Sequence, residues 1–178
     1  MPYPAYHLGP SGFFGLALRK WIDIPVFVLA NVIVDLEVLF APKWPIHQYW
    51  HFHSLLIGGV AGAIWGIIAY KFKPLKWLFE WGMRLIRLPY KTNLWKTVIS
   101  GVLGVWLHVV LDAVYHYDVL LFWPIKAKQL QRPLWRLVTQ EQEKAICIGF
   151  WIAGIILYVL AVRSFNKPRN GRKVKSPK

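Results

Sequence analysis

Apolar residues in this chain come in long blocks, and the polar residues gather between them. Ser54 to Tyr70 (SLLIGGVAGAIWGIIAY), Leu94 to His116 and Ala145 to Phe165 are three such blocks. Each is close to the length of about 20 residues that a helix needs to cross a bilayer. Pro25 to Phe40 is a fourth, shorter block, apolar except for Asn31, Asp35 and Glu37. Asp23 is placed to cap it, with Pro25 in its first turn. The pattern predicts an all-α, polytopic membrane bundle with three clear spans and one short membrane-buried or re-entrant helix. Gly58, Gly62 and Gly66 recur every four residues in the first span, a stripe suited to close helix packing.

The connecting segments read differently. Met1 to Ser11, rich in Pro, Tyr and Gly, is expected to be an irregular or interfacial entry, followed by a short amphipathic helix over Gly12 to Lys20. Met1 to His7 lacks the charged start and apolar core of a signal peptide. Ala41 to His53 is a loop broken by Pro42 and Pro45, with Trp, Tyr and His suited to the membrane–water interface. Lys71 to Lys96 is a basic linker with an amphipathic helix around Trp77 to Leu88, and Tyr117 to Lys144 is a polar loop. Residues 1–166 are expected to form one embedded domain, and 167–178 a disordered basic tail.

Composition supports the membrane reading. Hydrophobic residues make up 56% of the chain and aromatic residues 16%, too apolar for an ordinary soluble domain. The net charge of +14 would suit nucleic acid, but Lys and Arg concentrate beside the apolar blocks and in the tail. Cytoplasmic retention and anionic lipid account for that distribution, so no nucleic-acid partner is expected. A cytoplasmic tail puts the Lys71–Lys96 linker on the same side and the loops around His53 and His116 on the other. The cysteine Cys147 stands alone, which excludes an intrachain disulfide and a thiolate cluster.

Within the second span, His108, Asp112 and His116 repeat every four residues. At about 100° per residue they share a sector of roughly 80°. Ionisable groups inside a membrane helix cost about 2.5–3.5 kcal/mol each on insertion scales and by default mark function. All six histidines, His7, His47, His51, His53, His108 and His116, fall with Asp35, Glu37, Asp112 and Asp118 in segments that can converge at one membrane depth. His7 reaches that depth only if Pro25 to Phe40 is re-entrant. Imidazole and carboxylate suit zinc or another first-row divalent ion such as Mn2+ or Fe2+. The bland readings are a hydrogen-bonded His108–Asp112 pair, interfacial histidines at His47 and His51, and capping of the first span near Ser54.

These residues resemble the YdjM-type family of membrane-bound, predicted metal-dependent hydrolases. The matching elements are Tyr6-His7-Leu8, Asp35-Leu36-Glu37, His47 to Ser54, His108 to Asp112 and Leu121-Phe122-Trp123-Pro124. Val34, Glu37 and Gln48 depart from the family pattern, and His47 to His53 is one residue longer, so either His47 or His51 answers to the first histidine. His-x-x-x-Asp among helices is more distantly similar to the zinc-dependent phospholipase C and P1-nuclease group. The resemblance implies a metal core of His7, Asp35, His53, His108 and Asp112, with His116 additional. Asp35 bridges metals or acts as catalytic base, and Glu37 is its neighbour or the alternative base. The expected activity is hydrolysis of a phosphoester or lipid head group by an inner-membrane protein whose site faces the extracytoplasmic side. The alternative is a non-enzymatic metal- or haem-binding membrane protein serving transport or assembly.

Overall fold

The computed structural model describes residues 5–40, 45–48, 50–125 and 132–166. The expected basic tail lies outside them, as do parts of the loops after Phe40 and Ile125. Secondary structure among the described residues is helical: α1 (Ala5–Ala17), α2 (Ile24–Val34), α3 (Leu36–Phe40), a short 3-10 turn (Ile46–Gln48), α4 (Leu55–Lys71), α5 (Lys73–Leu85), α6 (Leu94–Tyr115) and α7 (Gln140–Asn166).

Helix α6 is the centre of the bundle, packed against α4 on one side and α2 on the other, while α1 lies along α7. Glycines set these approaches. A Cβ on Gly62 would lie 2.5 Å from the Gly101 carbonyl oxygen, and one on Gly66 would lie 2.4 Å from that of Thr97. The expected stripe therefore works where α4 crosses α6. Gly104 brings α6 equally close to Phe27 of α2. Val105 and Val109 of α6 join Ala30 and Val34 of α2 in a fully buried core.

Three expectations are corrected. The composition of Met1 to Ser11 predicts an irregular entry, but a helix starts at Ala5 and runs to Ala17. Its glycine serves close contact, not a loop: a Cβ on Gly9 would lie 2.5 Å from the Cys147 carbonyl oxygen of α7. Pro10 removes one backbone donor from this helix, and Ser11 Oγ donates to the His7 carbonyl at 2.6 Å.

The second correction concerns the span count. Among the described residues, α6 and α7 are long and apolar enough to cross a membrane, but α4 has 17 residues and falls short. It reaches that length only together with α5, from which it is bent by 85°. The break at Phe72 has a local cause. Pro74 lacks an N–H, and its ring would clash with the Tyr70 carbonyl if the helix continued. Phe72 takes an extended backbone instead (φ −81°, ψ 100°). Beyond the bend, α5 is the amphipathic helix foreseen in the linker, with Phe79 and Met83 buried.

The third correction is the start of the last span, five residues earlier than Ala145. Thr139 and Gln142 form a reciprocal cap: Thr139 N–H donates to Gln142 Oε1 and Gln142 N–H to Thr139 Oγ1.

Helices α1 and α2 form a hairpin. Asp23 caps α2 by accepting from Val26 N–H, and its own N–H donates to Ser100 Oγ near the start of α6. From there α2 runs alongside α6, with Asp23 level with Ser100, Phe27 with Gly104, and Asp35 with His108. Both outer ends of the hairpin therefore lie at the C-terminal end of α6, which is what brings His7 there. The opposite end of the bundle is basic: Lys96 Nζ donates to the carbonyls of Arg19 and Lys91.

Candidate metal centre

Asp112 stands on the inner face of α6, almost fully buried, and four histidines approach it. The four-residue spacing on α6 places His108 Nε2 3.1 Å from Asp112 Oδ2 and His116 Nε2 4.0 Å from Oδ1. The loop before α4 brings His53 Nε2 within 3.5 Å of Oδ2. From α1, His7 Nε2 comes within 3.2 Å of Oδ1. Asp35, at the C-cap of α2, completes the Oδ2 side, with its Oδ1 3.3 Å from His108 Nε2 and 4.0 Å from His53 Nε2.

Asp35, His53, His108 and Asp112 form a group whose donor atoms lie within 4.8 Å of one another and could hold a metal ion. Three of the separations, 3.1, 3.3 and 3.5 Å, are those of a coordination sphere, and the fourth, His53 to Asp35 at 4.0 Å, is longer. Donors bound at about 2.1 Å to a first-row ion sit roughly 3.0–3.5 Å apart at tetrahedral or octahedral angles. Buried polar atoms rarely go without a partner, yet His53 Nε2, both ring nitrogens of His108 and Asp112 Oδ1 make no hydrogen bond. The short His108–Asp112 contact is thus one of distance without hydrogen-bond alignment.

The tautomer of His53 sharpens the point. Glu37 Oε2 lies 2.9 Å from His53 Nδ1 and also accepts the His53 backbone N–H, while Oε1 accepts that of Trp50. An ionised carboxylate only accepts, so Nδ1 carries the proton. The Nε2 lone pair then faces the oxygens of Asp112 and Asp35, an arrangement that could hold a cation between them. Burial pushes the Glu37 carboxyl up, but the hydrogen bond and charge of His53 and the two backbone donors bring it below its ordinary value. Burial holds the His53 imidazole below its ordinary pKa, against the pull of Glu37 and Asp112.

A second group, His47, His116 and Asp118, adjoins the first and could also hold an ion. Asp118 Oδ2 receives both the backbone N–H and Nδ1 of His47, at 3.1 and 2.8 Å. Of the two alternatives for the first histidine, the structure brings in His47. His51 instead stacks on Trp123 with ring centroids 4.2 Å apart. The Leu-Phe-Trp-Pro element thereby has a structural part, and its Leu121 carbonyl also accepts the Leu55 N–H that opens α4.

Sequence reasoning missed Glu143. It is buried with Oε2 unpartnered. Placed in a polar loop, it looked solvated; the Thr139–Gln142 capping pair was the signal that it belongs to a helix. Beside the centre, a cavity of about 590 Å³ is lined by Val114, His116, Tyr117, Trp135, Arg136 and Thr139 among others.

A family model described as YdjM inner membrane protein matches residues 10–172. Among curated proteins and solved structures, none matches the chain.

Proposed function

The chain belongs to the YdjM inner membrane protein family, and on that premise we propose that it is a metal-dependent hydrolase acting at the membrane surface. The observation that carries this is the His53 Nε2 lone pair, fixed by Glu37 and aimed with His108 at the oxygens of Asp35 and Asp112. His53, His108, Asp112 and Asp35 would hold the ion, with zinc favoured by the nitrogen and oxygen donor set and Mn2+ or Fe2+ compatible with it. His7 and His116 stand on the other oxygen of Asp112 as further ligands. A divalent ion bound there supplies Lewis acidity and lowers the pKa of a water towards 7.

The chain's own groups supply the rest. Asp35 keeps 27% of its side chain exposed, so it can both touch the ion and accept a proton from the attacking water. Glu37, fully buried and saturated with donors, serves as the positioning residue for His53 and not as the base. Arg136 in the cavity beside His116 offers a cation for a phosphate oxygen, which favours a phosphoester or lipid head group as substrate. The apolar helices make the bilayer the protein's immediate surroundings. Basic residues gather at the opposite end of the bundle, which supports a cytoplasmic tail and a site on the extracytoplasmic side.

Asp112→Asn tests the reading. Metal content of the detergent-purified protein and hydrolysis of phosphoester substrates are expected to fall together, activity by at least about 100-fold. Retention of both removes Asp112 from the site. A non-enzymatic metal carrier would use the same imidazoles, and would show stoichiometric metal with transfer to an acceptor and no hydrolysis.

A further inference from the structure

We propose that the chain holds a second divalent ion beside the first, bound by His47, His116 and His7 and joined to the first through Asp112. The inference rests on reading Asp35, His53, His108 and Asp112 as ligands of the first ion.

Two carboxylates in this protein grip a histidine in the same way. Glu37 Oε2 takes the backbone N–H and Nδ1 of His53, and Asp118 Oδ2 takes the backbone N–H and Nδ1 of His47. Such a grip fixes the Nδ1–H tautomer and leaves Nε2 as a bare donor, the device that orients imidazole on a metal. For His53 the bare nitrogen meets the first set. His47 is 2% exposed, and its ring lies 4.5 Å from that of His116 and 4.6 Å from that of His53. His47 and His116 also offer ligand atoms within 4.8 Å of each other.

Asp112 links the two places. Its Oδ2 belongs to His53 and His108, while its Oδ1 lies 3.2 Å from His7 Nε2 and 4.0 Å from His116 Nε2. That Oδ1 is buried and makes no hydrogen bond. A carboxylate with each oxygen turned to a different pair of imidazoles has the form of a bridge, and such bridges hold two ions about 3.5–4 Å apart. His47 and His116, with ligand atoms within 4.8 Å of each other, and Asp112 Oδ1 with His7 and His116 beside it make a donor set of three nitrogens and one oxygen. Hydrogen bonding alone would leave Oδ1 unmatched.

Elemental analysis of the full chain in detergent after equilibration with Mn2+, combined with electron paramagnetic resonance, decides the matter. Wild type is expected to hold two ions per chain with an exchange-coupled spectrum. His47→Ala should hold one and give an uncoupled signal. Asp118→Asn, which leaves His47 in place, should weaken only the second ion, by about 10–100-fold. One ion in wild type, uncoupled, overturns the second site and leaves the first standing. Absence of any ion overturns both. Two ions retained at full affinity in both variants overturn the assignment to His47.

Discussion

Asp112 and Glu37 show how little of a residue's role lies in its own identity. Both are buried carboxylates, yet Asp112 presents unpaired oxygen to imidazoles while Glu37 is saturated by backbone and Nδ1 donors. Glu37→Gln keeps the shape but loses the charge that fixes the His53 tautomer. Isothermal titration should show metal affinity about 10–100-fold weaker, with helix content unchanged by circular dichroism. Unchanged affinity would mean that the Nδ1 contact is only structural. The pattern of His108, Asp112 and His116 was legible because ionisable groups are costly on an apolar helix, and four-residue spacing turns them to one face. His47's partner Asp118 was not, since a contact across 71 positions leaves no local trace. Glu143 stayed hidden for a different reason: the start of its helix is marked by one capping pair within a run of polar residues.

Among the elements, close approach accounts both for what the sequence revealed and for what it concealed. The glycines of α4 recur every four residues, so their packing face could be read directly. Gly9 sits in a stretch with Pro and Tyr, and its need for contact with Cys147 of α7 looked like the composition of a loop. The α4–α6 crossing gives a sharp test. A Cβ on Gly101 would lie 2.0 Å from the Gly62 carbonyl oxygen, so Gly101→Ala must separate the helices. A loss of about 1–3 kcal/mol or more is expected, read as a lowered thermal midpoint in detergent. Gly149→Ala is the control. Nothing lies within 4 Å of a Cβ there, and a helical alanine should be neutral or stabilising by up to about 1 kcal/mol. The bend after α4 was legible in principle from Pro74, whose rule was outweighed by the apolar run before it.

For the whole molecule, charge and chemistry divide between the two ends of the bundle. Arg19, Lys91 and Lys96 meet at one end, and the imidazoles and carboxylates around Asp112 and His47 meet at the other. The sequence displayed this polarity because the Lys71–Lys96 linker and the tail together hold most of the Lys and Arg. It did not display the α1–α2 hairpin, whose return depends on a turn at Leu18 to Asp23 and on Ser100 receiving Asp23 N–H. Cysteines placed at exposed Lys71 and Tyr117, in a Cys147→Ser background, report the orientation. A membrane-impermeant maleimide added to intact cells should label Tyr117→Cys, and reach Lys71→Cys only after permeabilisation. The reverse pattern would put the site in the cytoplasm.

The bend at Phe72 also has a consequence for depth. With α5 turned 85° away, it can lie flat on the bilayer like a float, and α4 hangs from it. The 17 residues of α4 reach about 25 Å at 1.5 Å per residue, less than a hydrocarbon core of about 30 Å. His53, at the far tip of that tether, then sits recessed below the head groups, and lipid must thin or sink to meet it. For the proposed hydrolase, the thickness of the host membrane would become a control on the reaction. In vesicles of graded acyl-chain length, hydrolysis of a lipid head group should quicken as the bilayer thins, while a water-soluble phosphoester should show little change.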